Sequence, residues 1–393
     1  MSILTPVFGF ELEFFVRLKD SFKEDLKKRL EAKENVPAEY RSWNFEITNR
    51  ETDHAKHDAQ DSQRKRMRDL LKELMKQRGL KIYVNQNEDS WQVTDEPALS
   101  EDKTDKNDYW RVEIISPALG SNENWQEQVH NLFKAFSEQI EITTTKGCSH
   151  HVHVTPGTKL DHPWFVAEQL AKIYCGVMYW ENALFKVMPP YRKRNTWCRP
   201  LAELDPKYST RRSNEKYTST NFTNVLKGCG TVEFRRQGWA KTADQTIKQV
   251  GHALGQFTAF LVHCKWQELK NTKSIGTPAQ YIEAVLEGMR RLPANSQVAG
   301  LKEWLHALDT DNSTKDAEEL VPDELARAAE IKKNRLFDGT SFAGPQSRPA
   351  TPTTPTTPGH TVPQPQSALP SKIVSTAWPG SDTGPYENPW AEE

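Results

Sequence analysis

The stretch VFGFELEFFV, residues 7–16, decides the architecture. Side chains two apart on a strand share a face, spaced by roughly 7 Å. Phe8, Phe10, Leu12 and Phe14 therefore form one face, a core face, while Gly9, Glu11, Glu13 and Phe15 form the other. Two carboxylates side by side on so apolar a strand repel each other unless water or a cation lies between them. Taken alone, such a pair marks a solvent-facing strand surface.

The pattern recurs. YWRVEIIS (109–116) sets Arg111 and Glu113 against Val112 and Ile114, and TVEFRRQ (231–237) sets Glu233 and Arg235 against Val232 and Phe234. HHVHVT (150–155) sets His151 and His153 against Val152 and Val154, in a chain that has only 11 histidines. His150 points the other way, to packing or to solvent. Strands of one sheet would gather four glutamates, two histidines and an arginine on one surface. Carboxylates so crowded need divalent cations. Their excess over imidazole favours Mg²⁺ or Mn²⁺ over zinc.

LKIYV (80–84) reads as a fifth strand. Helical spacing appears in SQRKRMRDLLKELMKQRG, in NENWQEQVHNLFKAFSEQ, over 164–187, and in TADQTIKQVGHALGQFTAFLVHCKW with Thr242 as its cap. The basic run RKRMR (64–68) reads as a solvated helix face. Residues 17–60 read as a helix and surface loops, and 1–335 as one α+β domain. Beyond 340 the composition changes, with 11 of the chain's 24 prolines and few apolar residues. Such a segment cannot offset its ordering entropy, so 340–393 is expected to be a disordered tail, its final WPGSDTGPYENPWAEE a candidate for docking another protein.

Charge excludes some partners. Lys+Arg number 52 and Asp+Glu 53, so no global basic field points to nucleic acid. The start MSILTPVFGF lacks the pattern of a secretory signal. The most apolar segment is interrupted by Glu168, Lys172, Glu181 and Lys186, which suits a buried helix rather than a membrane span. Five cysteines without a C-x-x-C pair suit a reducing interior, so the expected location is cytoplasmic, or nuclear. Cys148 reads as a small buried thiol rather than a nucleophile. Neither H-E-x-x-H nor a P-loop occurs.

The series FGFELEF, VEIISPAL, SHHVHVTP and TVEFR, in that order, resembles the putative amidoligase family, carboxylate–amine ligases of the group that includes glutamine synthetase and glutamate–cysteine ligase. The similarity runs from residue 7 to about 265, and WQVTDEPALS fits the segment before the second motif. The resemblance implies a glutamine synthetase-like core, a curved and mainly antiparallel sheet with helices on its convex side, holding ATP and Mg²⁺. It implies metal binding by Glu11, Glu13, Glu113 and Glu233. It places His151 or His153 by the phosphates or a metal, Arg235 on a phosphate or intermediate, and Asn221 in a loosely matched nucleotide-side position. Two departures, Trp239 in place of a small turn residue and His150 at a usually apolar position, bear on the substrate pocket.

The function so implied is ATP-dependent joining of a carboxylate, small or peptidic, to an amine. The γ-phosphoryl group activates the acid, and the amine then displaces phosphate. Arg192, Arg194 and Arg212 are candidates for a substrate carboxylate, or members of a solvated loop. A metal-dependent amide hydrolase and a non-catalytic binding protein are the alternatives. The first wants further histidines at strand ends, whereas His252 and His263 fall in a helical pattern.

Overall fold

The computed structural model describes residues 4–41, 43–49, 56–82, 90–101, 104–157, 165–193, 195, 198–201, 218–227, 230–263 and 276–312. They belong to a compact unit, Met1–Pro322. A second unit, Asp323–Glu393, lies outside the described residues, and with it the tail expected over 340–393.

Among the described residues eight strands form one sheet: β1 (Val7–Leu18), β2 (Gln92–Thr94), β3 (Trp110–Ile115), β4 (Leu119–Gly120), β5 (Ile140–Thr143), β6 (His150–Thr155), β7 (Thr220–Asn221) and β8 (Val232–Gln237). All pairings are antiparallel, in the order β2-β3-β1-β6-β8-β7. β4 and β5 attach to the two ends of β1. β1 reaches so many partners because its 12 residues are dominated by Phe and Val, with one glycine and no proline. The α+β class and the antiparallel pairing follow expectation. The sheet is open and uncurled, so register rather than the expected curvature brings the polar side chains together.

The described part of LKIYV, residues 80–82, does not form the expected strand. Leu80 and Lys81 lie outside any strand, Ile82 makes one isolated bridge to Trp91, and positions 83 and 84 lie outside the described residues. The short run Gln92–Thr94 takes that edge of the sheet instead.

Phe8, Phe10, Leu12 and Phe14 are fully buried. They share one core with Met67 and Leu70 of the His57–Gln77 helix, Trp125 and Val129 of the Trp125–Phe136 helix, and Ile173 of the Ala167–Val187 helix. Val250 and Phe257 of the Ala243–His263 helix complete it. Phe8 meets Trp125 edge-on at 5.3 Å between ring centroids, and Phe10 meets Trp91 at 5.6 Å. Each such side chain contributes about 1.5–3 kcal/mol by burial, so the apolar face of β1 anchors the sheet. The Pro278–Arg290 helix packs against Ala243–His263 where two glycines meet: a Cβ on Gly288 would stand 2.1 Å from the Gly255 carbonyl oxygen.

The basic run is only partly solvated. Lys65 is exposed beside Asp69, but Arg64 is largely buried, bound to Glu101 and lying 5.8 Å over the Trp110 ring. Among the described residues no helix is long and apolar enough to cross a membrane.

Candidate functional site

The opposite face of the same strands carries the acids. Register pairs Glu13 with Glu113 across β1 and β3, Glu11 with His151 across β1 and β6, His153 with Glu233 across β6 and β8, and Asn221 with Glu233 across β7 and β8. All eight residues singled out in the sequence, Arg235 included, thus stand together.

They form two groups. In the first, Glu11, His153 and Glu233 offer ligand atoms within 4.8 Å of one another. Glu11 Oε1 lies 3.2 Å from His153 Nε2, and its Oε2 lies 2.9 Å from His151 Nδ1. Arg235 donates to Glu233 Oε1, and Asn221 Nδ2 donates to Oε2 at 2.6 Å, so both oxygens of Glu233 are held. In the second, Glu13, Glu96 and Glu113 offer ligand atoms within the same 4.8 Å. Thr94 Oγ1 donates to Glu113 at 3.0 Å. Ser149 links the groups: its hydroxyl donates to Glu13 Oε2 at 2.5 Å and stands 2.8 Å from His151 Nε2.

Electrostatics separates the two groups. Burial raises every carboxyl here, but in Glu11 it is overcome by His153 and His151, which hold that carboxyl well below the usual range. Burial of Glu233 is likewise overcome, chiefly by the Arg235 guanidinium, and its pKa falls. In the second group the lowering contacts, Ser149 on Glu13 and Thr94 on Glu113, are outweighed. Burial and then the Glu96 charge push Glu13 up to about 8. Burial, then Glu11, Glu96 and Glu13, raise Glu113 well above the ordinary carboxylate. The nearest guanidinium on that strand is committed elsewhere, Arg111 binding Asp95 at 2.9 and 3.1 Å. His151 is kept neutral, drawn down to about 4 by burial and by Arg235.

Glu96 was not anticipated as a ligand, although it lies in the WQVTDEPALS segment. It follows β2 in a turn, where period-2 reasoning about strand faces has no reach. Ser149 and Thr94 were equally silent, since hydroxyls at such positions carry no pattern. His150 resolves to packing: it is buried, edge-on to Phe10 at 5.5 Å, with Nδ1 2.5 Å from Gln249 Oε1. Cys148 is buried and its thiol pushed up to about 12 by that burial, which fits an inert thiol. Arg192 is not in a solvated loop; it lies in the short Pro190–Lys193 helix and is 1% exposed, because its guanidinium folds back onto β8. Arg194 and Arg212 lie outside the described residues.

A bulge sharpens the site. Val152 pairs with Phe234 but His150 with Gln237, so two steps on β6 oppose three on β8. The extra residue lets Arg235 stay with Glu233 while Gln237 turns to the helical side, where its Nε2 lies 3.1 Å from His252 Nδ1. His252 also contacts the Tyr281 hydroxyl at 2.6 Å in the core. Among the described residues, then, no further histidine joins His151 and His153, and the hydrolase alternative gains no support.

A family model described as putative amidoligase enzyme matches residues 5–220, more than half of the 393-residue chain. The chain belongs to the amidoligase family. A search of curated proteins finds no significant match. The amidoligase match takes in β1, β3 and β6, with Glu11, Glu13, Glu113, His151 and His153, and stops before β8. Register, not the match, joins Glu233 and Arg235 to the rest. Membership points to an enzyme of the ligase type.

Proposed function

We propose that the protein is an ATP- and Mg²⁺-dependent ligase that joins a carboxylate to an amine through an acyl-phosphate, on a core related to that of glutamine synthetase. The observation that carries this reading is the second group: three carboxylates within 4.8 Å, two of them pushed towards the protonated form. A divalent cation is the natural relief for such a group, and hard oxygen donors suit Mg²⁺ or Mn²⁺. Glu13, Glu96 and Glu113 would hold one cation, and Glu11, His153 and Glu233 another. Bound there, the cations would supply charge neutralisation for the phosphates of ATP.

The chain's own groups would do the rest. In the first step a substrate carboxylate oxygen bonds to the γ-phosphorus and ADP leaves. In the second the amine nitrogen bonds to the acyl carbon, the C–O bond to phosphate breaks and a proton departs. Arg235 is suited to the transferring group, because a guanidinium gives two parallel hydrogen bonds to its oxygens. Asn221 keeps Glu233 aligned beside it. With Glu11 ionised, neutral His151 donates its Nδ1–H to Glu11 Oε2 at 2.9 Å, so its other ring nitrogen, Nε2, is the atom at which the amine's proton would be held.

Calorimetry with Mg-ATP tests this on the wild type and on Glu233→Gln. The expected result is metal-dependent binding with Kd on the order of micromolar, lost in the variant. A folded wild type that binds no Mg-ATP would sink the ATP-dependent reading.

A further inference from the structure

Arg192 carries a charge that no carboxylate among the described residues meets in an ion pair. It is 1% exposed, and burying a guanidinium costs several kcal/mol unless an anion meets it. Arg17, Arg235 and Arg236 obey that rule: Arg17 binds Asp20 and Glu141, Arg235 binds Glu233, and Arg236 binds Glu181 at 2.6 Å. Arg192 instead gives its Nη2 to a neutral acceptor, the Arg235 carbonyl oxygen at 2.5 Å, and its buried Nε has no partner. Among the described residues no carboxylate lies within ion-pair distance of it.

Its position is specific. The contact with the Arg235 carbonyl ties it to the strand that carries the phosphate-binding candidate. Next to it, the Tyr191 hydroxyl accepts from the Trp239 amide at 3.2 Å, fixing the same short helix to the end of β8. The positive charge of Arg192 also acts to lower both Glu13 and Cys148, so its field is felt among the acids. A buried guanidinium, held in place and short of an anion, is a pre-organised receptor for one.

We infer that Arg192 and Arg235 together hold an oxyanion of the reacting complex, either the carboxylate of the acid substrate or the phosphoryl group passed to it. The assignment rests on the ligase reading only for the identity of that anion. The guanidinium fork matches both, since each presents two or more coplanar oxygens to parallel N–H groups. Lysine, a point charge, would not replace it.

The test is thermal unfolding of the full chain in sodium phosphate, in sodium acetate and in sodium chloride of equal ionic strength. Wild type, Arg192→Met and Arg192→Lys are compared. Phosphate or acetate should raise the wild-type Tm above its value in chloride, and Arg192→Met should lose that rise. A rise with phosphate alone assigns the transferred phosphoryl group; a rise with acetate alone assigns the acid's carboxylate. If Arg192→Met fails to fold, Arg192→Lys decides, with an apparent affinity about tenfold weaker than wild type. No rise in the wild type, or an equal rise in a folded variant, overturns the subsite. Mg-ATP binding by the same samples keeps the two ideas apart. A wild type that binds phosphate through Arg192 but never binds Mg-ATP would remove the ligase reading and leave the oxyanion subsite standing.

Discussion

At the scale of single residues, Glu13 and Glu113 face each other in register, each pushed towards its protonated form. A cation entering there must displace protons, so its affinity climbs as pH rises from about 6 to about 8. Calorimetric titration with Mn²⁺ in buffers of different ionisation enthalpy counts the protons released. Affinity flat across that range would exclude the second group as the cation site. The two histidine faces give a sharper contrast. His150 is locked against Phe10 and Gln249 on the helical side, while His153 stands 3.2 Å from Glu11. His150→Leu should leave Mn²⁺ affinity within about twofold, and His153→Leu should weaken it by about tenfold or more. Equal effects would mean that the face assignment is wrong. The alternation of His151 and His153 with valines was readable in the sequence, because pleating assigns faces without any knowledge of neighbours. Ser149, which stands 2.8 Å from His151, and Glu96, which acts on Glu13 and Glu113, were not.

At the scale of elements, the sheet is held by β1 and its helical cover by close backbone approaches. Gly255 and Gly288 let two helices approach closely, Val285 and Met289 packing directly on Gly255. Gly288→Ala would drive a methyl to 2.1 Å from the Gly255 oxygen, a backbone atom that cannot rotate away. A loss of about 1–3 kcal/mol is expected in urea unfolding, with the helix pair splayed. Unchanged stability would show that the crossing has slack. Neither this contact nor the β8 bulge is written in local periodicity. Both glycines sit in otherwise regular helical patterns, and TVEFRRQ alternates as cleanly as an unbulged strand. The bulge arises from how β8 meets β6, which is a property of the pair.

For the whole molecule, buried titratable groups shape the response to pH. His150, His151 and His252 fall from the ordinary 6.5 to about 3, 4 and 4 because burial disfavours their charged forms. Depressed pKa values mean that the unfolded chain binds more protons below 6.5, so stability drops as pH falls through that window. Glu13 has the opposite sign. Its pKa rises from 4.5 to about 8, so the folded protein keeps a proton that the unfolded chain has lost, and stability drops as pH rises between those values. In EDTA, Tm should therefore peak at about pH 6, and Glu13→Gln should flatten the alkaline side. Added Mg²⁺ should lift that alkaline side in the wild type alone. An alkaline limb unaffected by either change would show that Glu13 is not the group responsible.

The sequence by itself determined the two-faced strands, the α+β class and the identity of most acids and histidines in the candidate site, because period-2 alternation is a local consequence of the pleat. It also carried the family resemblance through short strand motifs. Only the tertiary structure decided that β2, not LKIYV, closes one edge of the sheet, and that Glu96 enters from a turn. It alone showed Gln237 turning away at a bulge and Arg192 buried with no described carboxylate in ion-pair reach. Those outcomes depend on which segments meet and on how much space is left between them. Such quantities are set by packing over the whole chain, and no local spacing of residue types encodes them.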